Sequence, residues 1–180
     1  ASGGSWKGSM DVLNHIRFHK IREPGVVFEH GRLLLDKFAS KLGPEKWDVY
    51  EQTALAALDL GYLPLAQKYV DTLKLRWTDS TRVKRLQGMV WEATGNYDSA
   101  VKLYQSMIKE NPANTLAYKR IVSVERAQGL TKDAIKELTA YLKRFSADVA
   151  GWQELASLEL SLGHASEACF SYEELILADP

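Results

Sequence analysis

The fold is decided by six residues at 95–100, which read GNYDSA. This stretch begins with a glycine and ends five residues later with an alanine. The same arrangement recurs as GYLPLA at 61–66, GLTKDA at 129–134 and GHASEA at 163–168. The four glycines are each 34 residues apart, and so are the four alanines. Self-similarity at a fixed period is the sequence signature of a repeat architecture.

Each 34-residue unit predicts two helices joined by a short turn. Glycine is expected to end the first helix because it accepts a positive φ without a Cβ penalty. Pro112, 17 residues after Gly95, is expected to end the second helix of its unit, since proline cannot continue a helical ladder. Apolar residues recur between them at helical spacing: Ala100, Leu103, Tyr104, Met107 and Ile108. A helix–turn–helix unit of this length is typical of tetratricopeptide repeats, so the sequence predicts an all-α tetratricopeptide-repeat solenoid.

Four helical hairpins are predicted. Their helices are placed at 47–60 and 64–77, 81–94 and 98–111, 115–128 and 132–145, and 149–162 and 166–178. The turns contain Gly61, Gly95, Gly129 and Gly163. Small side chains are expected to face each other where the two axes of a hairpin are closest, in the pairs Ala54/Ala66, Gly88/Ala100, Val122/Ala134 and Ala156/Ala168. A large side chain at these positions would force the helices apart.

The regions outside the repeats divide the chain into three predicted parts. Residues 1–9 are interpreted as a linker or disordered tail, and the first five of them, ASGGS, resemble a linker or an expression scar. Residues 10–46 are predicted to be N-terminal capping helices, Met10 to Arg22 and Val26 to Leu42, which together cover the first repeat. Residues 47–180 form the four repeats. The fourth repeat ends without a polar capping helix, so we expect a longer protein or a partner that covers this end.

Composition excludes several classes of protein. The chain has 23 Lys plus Arg and 23 Asp plus Glu, which gives no whole-protein indication of nucleic-acid binding. It has 46% hydrophobic and 26% charged residues, as an ordinary globular domain does. A single cysteine, Cys169, excludes an internal disulfide and is predicted to be a buried, inert thiol. No stretch of about 20 apolar residues predicts a membrane span.

The sequence predicts no enzyme, no cofactor and no metal site. The glycines are spread along the chain and do not form a phosphate-binding loop. His15 and His19 have a spacing that can bind zinc, but no third ligand is suggested, so they are interpreted as partly exposed helix residues. His30 and His164 have no recognisable catalytic partners.

The main binding hypothesis concerns the first helix of each repeat, which lines the inner groove of this architecture. The predicted groove is acidic in the first repeat, basic in the middle and weakly polar in the fourth repeat. Its basic part is predicted to bind an acidic or polar segment of a partner, because arginine binds carboxylates through two hydrogen bonds. The residues assigned to it are Arg82, Arg85, Met89, Lys119, Arg120 and Arg126. Reversal of Lys119 and Arg120 is expected to abolish assembly without unfolding the chain.

Two alternatives to this hypothesis stay open. In the first, the basic residues form a solvated face with local ion pairs to Glu92 and Glu125. In the second, the chain is a co-chaperone that holds a terminal carboxylate between lysine, arginine and asparagine side chains. Of the positions such a clamp requires, Arg120 is the one that fits in the first possible register, and the register one repeat later fits no better.

Particular stretches resemble subunit 2 of the ER membrane protein complex. They include ASKLG at 39–43, RVKRL at 82–86, AQG at 127–129 and EEL at 173–175. The resemblance runs from about residue 30 to residue 180 and is more specific than the repeat glycines and alanines. Residues before 30 match the family in layout alone.

The resemblance implies a function that composition does not. That complex lies in the endoplasmic reticulum membrane and inserts tail-anchored proteins and some segments of multipass proteins. Its subunit 2 is a non-catalytic scaffold, peripheral on the cytosolic face. It binds the cytosolic subunit 8 or 9 and the cytosolic parts of the membrane subunits. The alternative function is a tetratricopeptide co-chaperone or another peptide-binding adaptor.

Overall fold

The structure is a computed structural model that describes residues 6–178. The described residues form α-helices, with two short 3₁₀ turns and no strand. They divide into two compact units, and the division along the chain falls between Ser99 and Ala100. The predicted boundary between residues 46 and 47 does not separate compact units.

The first unit contains the N-terminal helices and the first repeats. Its helices are α1 (Trp6–Phe18), α2 (Pro24–Lys37), α3 (Lys46–Asp59), α4 (Leu63–Arg76) and α5 (Thr81–Ala93). Each helix packs against the next, and α5 also contacts α3. One core of buried residues extends from Met10 to Val90, so the N-terminal helices and the repeats share it. The predicted capping helices therefore bury apolar surface of the first repeat.

The second unit contains the remaining repeat helices. They are α6 (Tyr97–Glu110), α7 (Thr115–Ala127), α8 (Thr131–Leu142), α9 (Val149–Ser161) and α10 (Ala165–Ala178). Helix α7 packs on α8, α8 on α9, and α9 on α10. Val122, Leu138, Leu142 and Leu155 belong to the core of this unit.

The start of the chain differs from the prediction. Helix α1 begins at Trp6, so residues 6–9 are helical and not a linker, while residues 1–5 lie outside the described part. Trp6 packs against the core and adds an apolar contact one turn before Met10. The helix ends at Phe18, because Lys20 has a φ of 53° and the Ile21 N–H donates to the Ile16 carbonyl at 3.0 Å. This is a left-handed helix end that does not use glycine.

The second predicted N-terminal helix is shorter than expected. Helix α2 begins at Pro24 and ends at Lys37, whereas the prediction ran from Val26 to Leu42. Proline suits the first turn of a helix, where its missing N–H costs no hydrogen bond. The chain then forms 3₁₀ turns at Ala39–Lys41 and Gly43–Glu45, between which Leu42 is buried.

The repeat turns have one common geometry. The four repeat glycines have φ values of 75°, 76°, 74° and 78°, and the first helix of each repeat ends two residues before its glycine. After α7, the Leu130 N–H donates to the Glu125 carbonyl at 2.9 Å across Gly129. A side chain at this φ would clash with the following carbonyl, so the turn favours glycine. The register predicted from the glycine spacing agrees with these turns.

The small repeat residues lie in the interior. Ala54 and Ala66 are fully buried on the packed helices α3 and α4, and Val122 and Ala134 are buried on α7 and α8. Gly88, Ala100, Ala156 and Ala168 are buried as well. A larger side chain at these interior positions must displace neighbouring atoms.

We predict that Ala134→Leu destabilises the chain by about 1–3 kcal/mol, because added methylene groups overpack a filled core. Ala140→Leu is the matched control, since Ala140 is exposed on the same helix. Thermal unfolding followed by circular dichroism is expected to show a lower midpoint for the Ala134 variant alone. Equal midpoints for the two variants would contradict the proposed packing.

Candidate functional site

The basic residues of α5 contact carboxylates of α3. Arg82 pairs side-on with Glu51, with Nε 3.3 Å from Oε1 and Nη2 2.5 Å from Oε2. Arg85 Nη2 lies 3.9 Å from Glu51 Oε1. Asp48 also lies at this surface, 3.9 Å from Arg82 and 3.5 Å from Arg17 of α1. The first unit therefore contains a cluster in which several arginines share two carboxylates.

Met89 occupies a different environment from these arginines. It is partly buried and packs against the core of the first unit. Its thioether therefore contributes to packing, although the sequence placed it in the binding groove together with Arg82 and Arg85.

In the second unit, Lys119 is tied to the start of α9. Its Nζ lies 2.6 Å from Asp148 Oδ2, and the Tyr141 hydroxyl donates to the same oxygen at 2.6 Å. The other oxygen of Asp148 accepts from the Gly151 backbone N–H at 3.2 Å, which caps α9. One carboxylate thus joins α7, α8 and α9.

The pKa values in this network follow from its contacts. Burial acts to raise the pKa of Asp148, but hydrogen bonds from Lys119 and Tyr141 outweigh burial, so the pKa is lowered overall. Burial, with the hydrogen bond to Asp148, raises the pKa of the Tyr141 hydroxyl above its ordinary value. At neutral pH the network therefore contains a carboxylate that accepts from a neutral phenol and a lysine.

Arg126 is paired in a similar way further along α7. Its Nη1 lies 2.5 Å from Glu154 Oε1 on α9, and half of its side chain (51%) remains exposed. Arg120 is half-buried on the same helix and also has an interaction partner.

The ion pairs of Arg82, Arg85, Lys119 and Arg126 share one pattern. Each of them joins the first helix of one repeat to the first helix of the next: α3 to α5 in the first unit, and α7 to α9 in the second. The sequence separations are 28 to 34 residues. The signal was present in the repeat register, where acidic and basic residues stand at similar positions of adjacent repeats.

Glu125 on α7 carries a buried carboxyl oxygen. Its Oε2 is buried without a hydrogen-bond partner among residues 6–178. Its pKa is raised to about 7, mainly by burial. The carboxylates of Glu137 and Asp133 on α8 also raise the pKa, whereas Lys136 lowers it. The folded chain therefore keeps a proton on Glu125 at pH values where the unfolded chain has released it.

We predict that this carboxyl makes the chain less stable as pH rises from about 4.5 to about 7. A folded-state pKa above the unfolded value means that the native state binds more protons in this range, so the free energy of unfolding falls with pH. Glu125→Gln removes the ionisation and is expected to stabilise the chain at pH 8 more than at pH 5. Urea unfolding at both pH values measures the difference.

Glu29→Gln, at an exposed carboxylate, is the control and is expected to show no such pH-dependent gain. If the Glu125 and Glu29 variants have the same pH profile, Glu125 does not titrate in the predicted range.

The other residues considered from the sequence lie apart from these clusters. The rings of His15 and His19 are 4.4 Å apart, and no three His, Cys, Asp or Glu side chains within residues 6–178 are grouped to bind a metal ion. His30 contacts Ser9 at 3.0 Å, and His164 contacts Glu159 at 2.7 Å.

The prediction of a buried cysteine was wrong. Cys169 is exposed, and its sulfur lies 3.9 Å from Glu173. It follows the buried Ala168 by one residue, which turns it about 100° around the helix and away from the core.

No helix in the described part of the chain combines the length and apolar character needed to cross a bilayer.

Comparisons with solved structures concern the fold. MamA from strain RS-1, as a double mutant, superposes with a TM-score of 0.64 at 14% identity and covers 99% of this chain and 97% of its own. A tetratricopeptide repeat protein from Parabacteroides merdae superposes with a TM-score of 0.65 at 12% identity. The superposition covers 97% of this chain and 72% of that protein. At these identities the likeness shows the fold alone, and it confirms the predicted all-α tetratricopeptide-repeat class.

Comparisons with known sequences identify the family. ER membrane protein complex subunit 2-A of Xenopus laevis is 38% identical over 176 residues, which are 98% of this chain and 59% of that protein. The corresponding subunit 2 of Dictyostelium discoideum is 32% identical over 98% of this chain and 55% of its own. The TPR repeat protein oca3 of Schizosaccharomyces pombe is 40% identical over 78% of this chain and 51% of that protein. The chain thus spans between half and three-fifths of the length of these relatives.

A family profile described as the EMC2 TPR-like repeat domain matches residues 63–180. The match covers α4 to α10, which include Arg82, Arg85 and Arg126, and it agrees with the resemblance found in the sequence. The chain therefore belongs to the family of ER membrane protein complex subunit 2.

Proposed function

We propose that the chain is a non-catalytic scaffold of the ER membrane protein complex, peripheral on the cytosolic face of the endoplasmic reticulum membrane. It holds the cytosolic subunit 8 or 9 and cytosolic parts of membrane subunits. In this way it supports insertion of tail-anchored and multipass proteins. The observation that carries the proposal is the set of basic side chains that neighbouring helices hold in place while part of each remains exposed.

Fixed cations are suited to partner binding. Arg82 uses Nε and Nη2 for Glu51, and 65% of its side chain is exposed. A guanidinium carries five N–H donors, so the pair leaves donors on Nη1 for a further carboxylate. Because Glu51 already restricts the rotamers of Arg82, binding costs less side-chain entropy than it would for a mobile arginine. The same reasoning applies to Arg126, which Glu154 holds on the second unit.

The family membership supports the location and the partners of the proposal. The relatives are named as subunits of a membrane complex, so this chain is expected to meet its partners through protein contacts. The ion-paired side chains described above provide charged groups that a partner protein can contact. We infer that any chemistry of membrane insertion lies in other chains of the complex.

The choice of variant follows from the ion pairs. Reversal of Lys119 would place a second carboxylate beside Asp148 and remove a contact that holds the start of α9. Loss of assembly by that variant would then not separate binding from unfolding, contrary to what the sequence suggested. The Arg126–Glu154 pair lies nearer to solvent and can be exchanged as a unit.

We predict that Arg126→Glu lowers the recovery of membrane subunits about tenfold, as expected for loss of an arginine that anchors an interface. The measurement is affinity capture of the tagged protein from gently solubilised cells, with quantification of the chains that co-purify. In the double variant Arg126→Glu/Glu154→Arg the ion pair is restored in the opposite direction. Recovery is expected to stay low, because the partner then meets the charges in exchanged positions.

Melting curves of each variant provide the control for folding. Full recovery with the double variant would show that the pair acts within the chain alone and would contradict a role in partner binding. Recovery of cytosolic chaperones in place of membrane proteins would favour the co-chaperone alternative.

A further inference from the structure

The first unit contains an open cleft that the ion-pair surface does not explain. It has a volume of about 400 Å³ and lies between the start of α3, the end of α4 and the start of α5. Leu73 and Val83 form its buried floor, Trp47 and Trp77 line it, and Arg82 lies at its edge. Its volume lies within the range of about 300–1,000 Å³ that is typical of sites that bind a ligand group.

The two tryptophans give the cleft its apolar character. Their ring centroids are 5.0 Å apart and their planes meet at 76°, an edge-to-face arrangement. Trp47 packs against the core, whereas Trp77 remains 39% exposed. Trp77 follows the last residue of α4, and its backbone N–H donates to the Leu73 carbonyl at 3.0 Å. A half-exposed tryptophan beside a buried apolar floor is the kind of residue that anchors protein interfaces.

The charges around the cleft are mostly compensated, with an excess of cations. The Arg82–Glu51 pair and the contacts of Asp48 satisfy the two carboxylates at the edge. The Lys46 ammonium lies 4.4 Å from the centre of the Trp47 ring. Asp48 and Glu51 line the cleft together with Arg82, and three further cations contact the lining residues, so four cations lie at or beside the cleft against two carboxylates: Arg17, Lys46, Arg82 and Arg85. A complementary ligand is therefore apolar in the cleft and negatively charged next to it.

We propose that this cleft binds a bulky apolar side chain of an acidic peptide segment of a partner protein. A side chain of the size of leucine, methionine or phenylalanine packs against the cleft side of the Trp47–Trp77 pair and covers Leu73 and Val83. Carboxylates beside that anchor meet Arg82 and Lys46. This inference rests on the proposed function, since it specifies what the partner presents to the arginine-bearing surface of the first unit.

Selection of random displayed peptides on the immobilised chain tests the proposal. Enriched peptides are expected to contain leucine, methionine or phenylalanine next to aspartate or glutamate. Fluorescence anisotropy of one enriched peptide then compares the wild type with Trp77→Ala, for which we expect an affinity about tenfold lower. Leu75→Ala is the control, because Leu75 is 87% exposed on α4 and does not line the cleft.

A measurement on the unaltered chain keeps the test independent of folding in the variants. In NMR spectra the indole N–H signals of Trp47 and Trp77 are expected to shift when the peptide is added. The Trp152 signal is expected to stay in place, since that N–H donates to the Ser146 carbonyl in the second unit. Trp77→Phe serves to assign the Trp77 signal.

The proposal is overturned if no peptide is enriched, if the enriched peptides lack an apolar anchor, or if one binds Trp77→Ala as tightly as the wild type. These outcomes leave the scaffold function intact as long as Arg126→Glu still releases the membrane subunits. Absence of membrane subunits from the capture of the unaltered chain, combined with peptide binding in the cleft, would instead remove the proposed function and keep the cleft.

Discussion

Helix packing within each repeat depends on a position where no large side chain fits. Ala54 and Ala66 in the first unit, and Val122 and Ala134 in the second, are completely or almost completely buried on helices that pack together. Core packing in proteins is dense, so even one added methylene group at such a position disturbs the packing of its neighbours. The glycine turn between the helices acts together with this constraint, because it directs the second helix back along the first. Both features recur every 34 residues, and the rest of the structure follows from that repetition.

One consequence is electrostatic. Repetition brings the first helix of one repeat beside the first helix of the next, so residues about one period apart become neighbours. Glu51 meets Arg82 in this way, and Asp148 meets Lys119. Surface ion pairs of this kind contribute little stability, commonly about 0–1 kcal/mol. Their larger effect is on order, because they hold long basic side chains in defined positions on a surface that is otherwise exposed.

The sequence predicted the features that depend on local chemistry or on the period. Glycine turns, buried alanines and hairpin bounds belong to this class, since each is determined within one repeat. The partners of Arg82 and Lys119 depend on which helices become adjacent, so the sequence of a single repeat does not identify them. The exposure of Cys169 depends on the direction in which a single helix position faces. The cleft that Trp47 and Trp77 line depends on how α3, α4 and α5 pack together, which the sequence of one repeat does not determine.

The polar network at the start of α9 shows how surface and core are linked in this repeat fold. Asp148 caps α9 through the Gly151 N–H and accepts from Tyr141, whose ring is buried in the core. The same carboxylate holds Lys119 at a partly exposed position. Removing Asp148 would therefore leave the buried Tyr141 hydroxyl without its acceptor and the α9 terminus without its cap, at a cost of about 1–3 kcal/mol for the unsatisfied group alone. Because one residue serves both the fold and the proposed binding surface, variants that probe binding on this unit must spare Asp148, and the more exposed Arg126–Glu154 pair meets that condition.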